Sequence, residues 1–217
     1  MGNPTHKFKT SESTCPAALL QGEISSQFST FWAIGNLDIL DTNLLGIFCS
    51  IRCPGNIILN TYDCMRILRD AGVPVVSGFH SPIEKDCLDI LLKGPQPIVV
   101  CPARGIVRMR IPIDWKNQID QGRLLILSPF DEKLKRPTVS TSKQRNHLVA
   151  MLGRSFLIPY ADAGSKTEQL VWEIIESDGK IYSFKIASNE GLIRSGAIPI
   201  GTDAKAMRGF ALASKSG

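Results

Sequence analysis

The sequence predicts an α/β domain built as a Rossmann-like, parallel-rich sheet sandwiched by helices. Three observations carry that expectation. Short apolar runs rich in Val, Ile and Leu recur without strict polar alternation, which marks strands covered on both faces. Between them lie stretches with apolar residues at i, i+3, i+4 and i+7, the spacing of one-sided helices about three turns long. Gly and Pro fall where one kind of segment gives way to the other.

The elements follow in chain order. Residues 1–24, rich in Ser, Thr, Lys and Gly without periodicity, read as a flexible leader. Residues 44–50 form a first core strand. Cys64, Ile67, Leu68 and Ala71 then share one helix face, Gly72 closes that helix, and residues 73–77 supply a second strand. Ser81, Pro82 and Glu84 have the spacing of a capping box with Pro at the first helical position. The helix they open carries Ile83, Cys87, Ile90 and Leu91 on one face and ends at Gly94 and Pro95. Residues 97–101 and 123–128 are the third and fourth strands. A helix with Leu148, Met151 and Leu152 on one face precedes the fifth, at 155–159. Another, from about 166 to 177, leads to the sixth, at 181–184. Residues 204–217 resemble the leader and read as a flexible tail, leaving 25–203 as a single domain.

Composition narrows the function. With 217 residues, 43% hydrophobic and 21% charged, the chain suits one sizeable core. It has no run of 18 apolar residues, so no membrane span is expected. Its start lacks a basic region followed by an apolar one, so a cytoplasmic location is expected. Six cysteines occur without a Cys-x-x-Cys pair and beside only three histidines, which suits buried, reduced thiols and no metal site. The formal charge of +5 is concentrated: residues 104–145 hold ten Lys/Arg against four Asp/Glu, a surplus of six, and the remainder of the chain sums to −1. A basic third on a near-neutral body suits a polyanionic partner.

In such sheets ligands bind beyond the carboxyl ends of the strands, so the loops that follow them hold the candidate residues. After the first strand come Ser50 and Arg52, a small residue for a close turn and a forked donor. Ser77 and Gly78 follow the second. Arg145 and Asn146 lie on the helix before the fifth, and Gly164, Ser165, Lys166 and Thr167 open the next helix with backbone amides suited to phosphate. There is no Gly-x-Gly-x-x-Gly fingerprint, no P-loop, no Ser–His–Asp or Cys–His set and no paired carboxylates. No catalytic residue and no cofactor are therefore expected.

Six segments, in order, resemble the DNA-processing protein A (DprA/Smf) family, a branch of the superfamily that also contains the "lonely guy" phosphoribohydrolases. Residues 31–37 (FWAIGNL) are similar to its strand ending in Gly-Asn, and 46–52 (GIFCSIR) to its Ile-Val-Gly-Ser-Arg. Residues 75–78 (VVSG) are similar to its Val-Val-Ser-Gly, and Arg145-Asn146 to its Arg-Asn-Arg helix. Residues 164–167 (GSKT) resemble its Ser-Gly-Ser-x-x-Thr loop, and 189–197 (NEGLIRSGA) its closing Asn-x-Leu-Ile-x-x-Gly-Ala. The resemblance implies an extended Rossmann-like core that binds single-stranded DNA in a basic pocket, with a homodimer and a contact to the recombinase RecA as further partners. Carried over, Arg52, Arg145 and the 164–167 loop meet phosphate, while Ser77 and Gly78 shape the pocket floor. The family's Ala-Arg-Gly-Ile-Asp after Ser-Gly is absent, replaced by residues 80–88 (HSPIEKDCL), and Cys49 stands where glycine is usual.

Two functions follow. One is a DNA-binding protein that grips the backbone and stacks bases on aromatics such as Phe79. The other is a small-nucleotide sensor or phosphoribohydrolase-like enzyme, with Glu168 as acid/base near the ribose and Arg52 or Arg145 on the 5′-phosphate.

Overall fold

In the computed structural model, which describes residues 5–216, the chain begins with β1 (His6–Lys9), α1 (Gly22–Gln27), β2 (Thr30–Gly35) and β3 (Leu45–Ile47). It continues through α2 (Gly55–Ala71), β4 (Val75–Ser77), α3 (Pro82–Leu91), β5 (Ile98–Val100), α4 (Ile113–Asp120) and β6 (Leu124–Ser128). Then follow α5 (Val139–Leu152), β7 (Ser155–Leu157), α6 (Lys166–Glu176), β8 (Lys180–Phe184), α7 (Glu190–Arg194), β9 (Ile198–Ile200) and α8 (Ala204–Ser216). The six strands expected from the sequence are β3 to β8.

All strands join one sheet in the order β1-β2-β6-β5-β4-β3-β7-β8-β9. From β6 across to β9 every pairing is parallel, whereas β1–β2 and β2–β6 are antiparallel. The period of two along each strand sends neighbours to opposite faces. Val75 faces the core that holds Ile57, Met65 and Leu68 of α2, Cys87 and Leu91 of α3 and Phe210 of α8. Its neighbour Val76 faces the core that holds Leu148 and Val149 of α5 and Leu170, Val171 and Ile174 of α6. Leu125 and Ile126 divide in the same way. Each such Leu, Ile or Val stabilises the fold by roughly 1.5–3 kcal/mol when fully buried. Two layers of helix therefore clamp the sheet.

Both ends of the chain correct the sequence reading. Where a flexible leader was expected, β1 pairs along β2 from His6 opposite Ala33 to Lys9 opposite Thr30. Phe8 is buried there with its ring 6.3 Å from that of Phe31. Where a flexible tail was expected, α8 runs against α2 and buries Met207, Phe210, Ala211 and Ser214, an i, i+3, i+4, i+7 stripe. Residues 1–4 and 217 of those two stretches lie outside the described residues. No helix among the described residues is long and apolar enough to cross a membrane.

Candidate anion-binding site

The winding of the sheet reverses at β3. Chain order runs β3, β4, β5, β6 to one side, and then β7 pairs with the opposite edge of β3. Loops leaving the carboxyl ends of β3 and β7 diverge at that point and leave a crevice. Because crossover helices run antiparallel to the strands, α3, α5 and α6 all start at this rim. They surround a cavity of about 680 Å³.

Each helix start is capped. In α3, Ser81 Oγ accepts from Glu84 N at 3.2 Å, and the Glu84 carboxylate reaches back to Ser81 N, the capping box that the sequence spacing implies. In α5, Thr138 and Thr141 form a second box. In α6, Ser165 Oγ accepts from Glu168 N at 3.1 Å. The first-turn amides of Lys166 and Thr167, both residues of the cavity wall, have no acceptor among the described residues. Three positive helix ends therefore converge on one space.

Arg145 supplies the formal charge. It projects from the second turn of α5 into the cavity wall and is only 5% exposed. Its Nε donates to Asn146 Oδ1 at 2.8 Å and its Nη1 to Cys101 O at 3.3 Å. Among the described residues, no carboxylate lies within ion-pair distance of it. Burial pulls the guanidinium below its ordinary range, and the charge of Glu84 partly offsets this. The group stays protonated regardless. Glu84 is the one acid in the cavity wall, and its oxygens are spent on three amides: Cys49 N at 3.1 Å, His80 N at 2.8 Å and Ser81 N at 3.3 Å. A buried cation without a bound counter-ion costs stability unless something else supplies the negative charge.

Gly78 makes room for that guanidinium. A Cβ on Gly78 would fall 1.3 Å from Arg145 Nη1 and 2.0 Å from its Cζ. Ser77, fully buried, donates from Oγ to Ile47 O at 2.7 Å and accepts from Phe79 N at 3.2 Å. These bonds hold a turn in which Phe79 takes a left-handed φ of 45°. Neither Ser77 nor Gly78 lines the cavity; they lie behind Arg145.

The structure gathers Arg145, Asn146, Lys166 and Thr167 on the cavity wall and leaves other expected residues outside. Arg52 is exposed and lies outside the cavity wall, to which its loop contributes Phe48, Cys49 and Ile51. Ser50 is buried and braces two loops, its Oγ accepting from Asp162 N at 3.0 Å and lying 3.2 Å from Ser165 Oγ. Gly164 and Ser165 have their amides occupied, by Glu168 Oε2 at 2.7 Å and Asp162 O at 3.0 Å, so only the latter half of the 164–167 loop remains open to a ligand. Glu168, tied to Gly164, lines a separate hollow with Tyr160 and Trp172, away from the wall that carries Arg145. Phe79 packs into the core and offers no face for stacking.

Thr138, Val139 and Ser142 line the cavity although the sequence reading passed over them. The Thr138-x-x-Thr141 spacing was the available signal. Just before them, Lys133, Lys135 and Arg136 are exposed. Beside Arg145, burial pushes the Cys101 thiol up to about 12, so it is neutral. At the cavity edge, Cys49 is pushed up by its hydrogen bond to Cys53 and by burial, while the same bond holds Cys53 below the ordinary thiol range. No group of three or more possible metal ligands occurs among the described residues.

A family model described as DNA recombination-mediator protein A matches residues 8–210. Among solved structures, DNA processing protein A from Streptococcus pneumoniae aligns with a TM-score of 0.73 at 18% identity, covering 94% of this chain and 72% of that one. DNA processing protein A from Helicobacter pylori, solved for its single-stranded DNA binding mode, gives a TM-score of 0.70 at 19% identity over 95% of this chain and 97% of its own. At these identities the likeness is one of fold. No curated protein matches the chain.

Proposed function

This chain belongs to the DNA recombination-mediator protein A family, and on that footing we propose that it binds single-stranded DNA by the sugar-phosphate backbone. One observation supports the reading above all: Arg145 is buried, has no carboxylate in ion-pair contact among the described residues and faces a cavity rimmed by three helix starts. A phosphodiester seated there accepts from the Arg145 guanidinium and from the Lys166 and Thr167 amides, with Asn146 holding the guanidinium plane. Lys135 and Arg136, exposed ahead of α5, and Arg52, exposed beside Ile51, then meet phosphates outside the cavity. A homodimer and a recombinase contact belong to the same proposal and are supported by the family membership alone.

A free nucleotide is the second reading, favoured by the cavity volume of about 680 Å³, which accommodates a mononucleotide. The hydrolase version of it is disfavoured, because Glu168 is bound to Gly164 and absent from the cavity wall. Competition binding separates the two. A labelled oligothymidylate is challenged with unlabelled single strand, duplex of the same length and nucleoside monophosphates. The DNA reading expects the single strand to compete best. Competition by a monophosphate at equal or lower concentration would replace it with the nucleotide reading.

A further inference from the structure

The cavity does not end at Arg145. A groove of about 250 Å³ runs on from it between α5 and α6, sharing Val139, Ser142, Asn146, Lys166 and Leu170 with the cavity wall. We propose that this groove is a second subsite, which takes the next nucleotide of the bound strand, with Glu173 holding Lys143 and His147 in place until a phosphate displaces the carboxylate. The inference rests on the reading of the cavity as a single-strand site.

The helix periodicity builds the groove. Val139, Lys143 and His147 fall at i, i+4 and i+8 on α5, and Lys166, Leu170 and Glu173 at i, i+4 and i+7 on α6, so the two stripes face each other. Val139, an exposed apolar side chain, provides surface suited to the face of a base, with the buried Leu170 beneath it. The polar atoms stand at the rim. Glu173 Oε1 lies 3.8 Å from Lys143 Nζ and its Oε2 lies 3.4 Å from His147 Nε2. Lys143 is 69% exposed and Glu173 40%, so this is a solvated ion pair that holds its partners weakly. A phosphodiester carries the same charge as the Glu173 carboxylate and, like it, presents two acceptor oxygens. With Lys166 at the mouth, the groove carries cations along the path a strand takes on leaving the cavity.

The test uses the full chain and two labelled ligands, thymidine 5′-monophosphate, which the cavity accommodates, and an oligothymidylate dodecamer that extends beyond it. Lys143→Ala is expected to weaken the dodecamer by about three- to tenfold, to reduce its salt slope by about 0.7 and to leave the monophosphate unchanged. Glu173→Gln is expected to tighten the dodecamer by about threefold, since it removes a carboxylate that competes with the strand for Lys143. All of these side chains are at the surface, so neither variant threatens folding. If the dodecamer binds and neither substitution changes its affinity or its salt slope, the groove is not a subsite and the cavity reading stands. If the unaltered protein does not bind the dodecamer, both readings fall.

Discussion

Arg145 and Gly78 form a pair in which each explains the other. The guanidinium passes where a Cβ on residue 78 would sit, and only glycine leaves that space. Gly78→Ala is therefore expected to cost about 1–3 kcal/mol in denaturant unfolding and to impair DNA binding as well. In an Arg145→Met background the same Gly78→Ala change should cost much less, a coupling of about 0.5–3 kcal/mol in a double-mutant cycle. Arg145→Met alone should weaken single-strand binding by about 2–5 kcal/mol, some thirtyfold or more. The unliganded variant should be no less stable, because it loses a buried charge that has no carboxylate partner. Additive losses in the cycle would mean that residue 78 and Arg145 act separately. Cys53 gives a second expectation at this scale. Since the thiolate is the reactive form, and Cys49 stabilises it by hydrogen bonding, Cys53 should be the first cysteine alkylated by iodoacetamide. Its rate should rise through an inflection below that of an ordinary thiol, and Cys49→Ala should move that inflection upward. An unmoved inflection would remove the hydrogen bond as the cause.

The elements legible in the sequence are those whose signal is local. Strands β3 to β8 stand out as short runs rich in apolar residues, and the Ser81–Glu84 box announces α3 because a cap needs only four residues. β1 was hidden because a four-residue edge strand buries a single side chain, Phe8. α8 was hidden because Lys, Arg, Gly and Ser dilute a stripe that is plain only once Met207, Phe210 and Ala211 are known to face α2. Phe210 tests that helix. Its ring centroid is 4.9 Å from that of Tyr182 and the side chain is 5% exposed, so Phe210→Ala should destabilise the protein by about 3–5 kcal/mol in thermal or denaturant unfolding. A change below about 1 kcal/mol would mean that α8 detaches in solution.

At the scale of the whole molecule, the site depends on strand order, which no local pattern states. Arg145 and Lys166 are 21 residues apart in sequence, and they share a cavity because β7 returns to the free edge of β3. Thr138 and Ser142 were missed for that reason, since as sequence they are polar residues at a helix start. That Arg52 stands outside the cavity wall was not legible, because position along a loop does not state which way a side chain turns. The charge asymmetry was legible, and it carries a prediction for the intact protein. With Arg145, Lys166 and the exposed Lys135 and Arg136 on one rim, log K for a single strand should fall linearly with log salt at a slope of about −2 to −3. A slope near zero would exclude backbone binding.

The central claim is that a phosphate of the strand completes the charge of Arg145 between three helix starts. A crystal structure with a bound oligothymidylate tests it most directly. The expected result is a phosphate within hydrogen-bonding reach of the Arg145 guanidinium and the amides of Lys166 and Thr167. Density for the strand on another face, with this cavity holding only solvent, would contradict it.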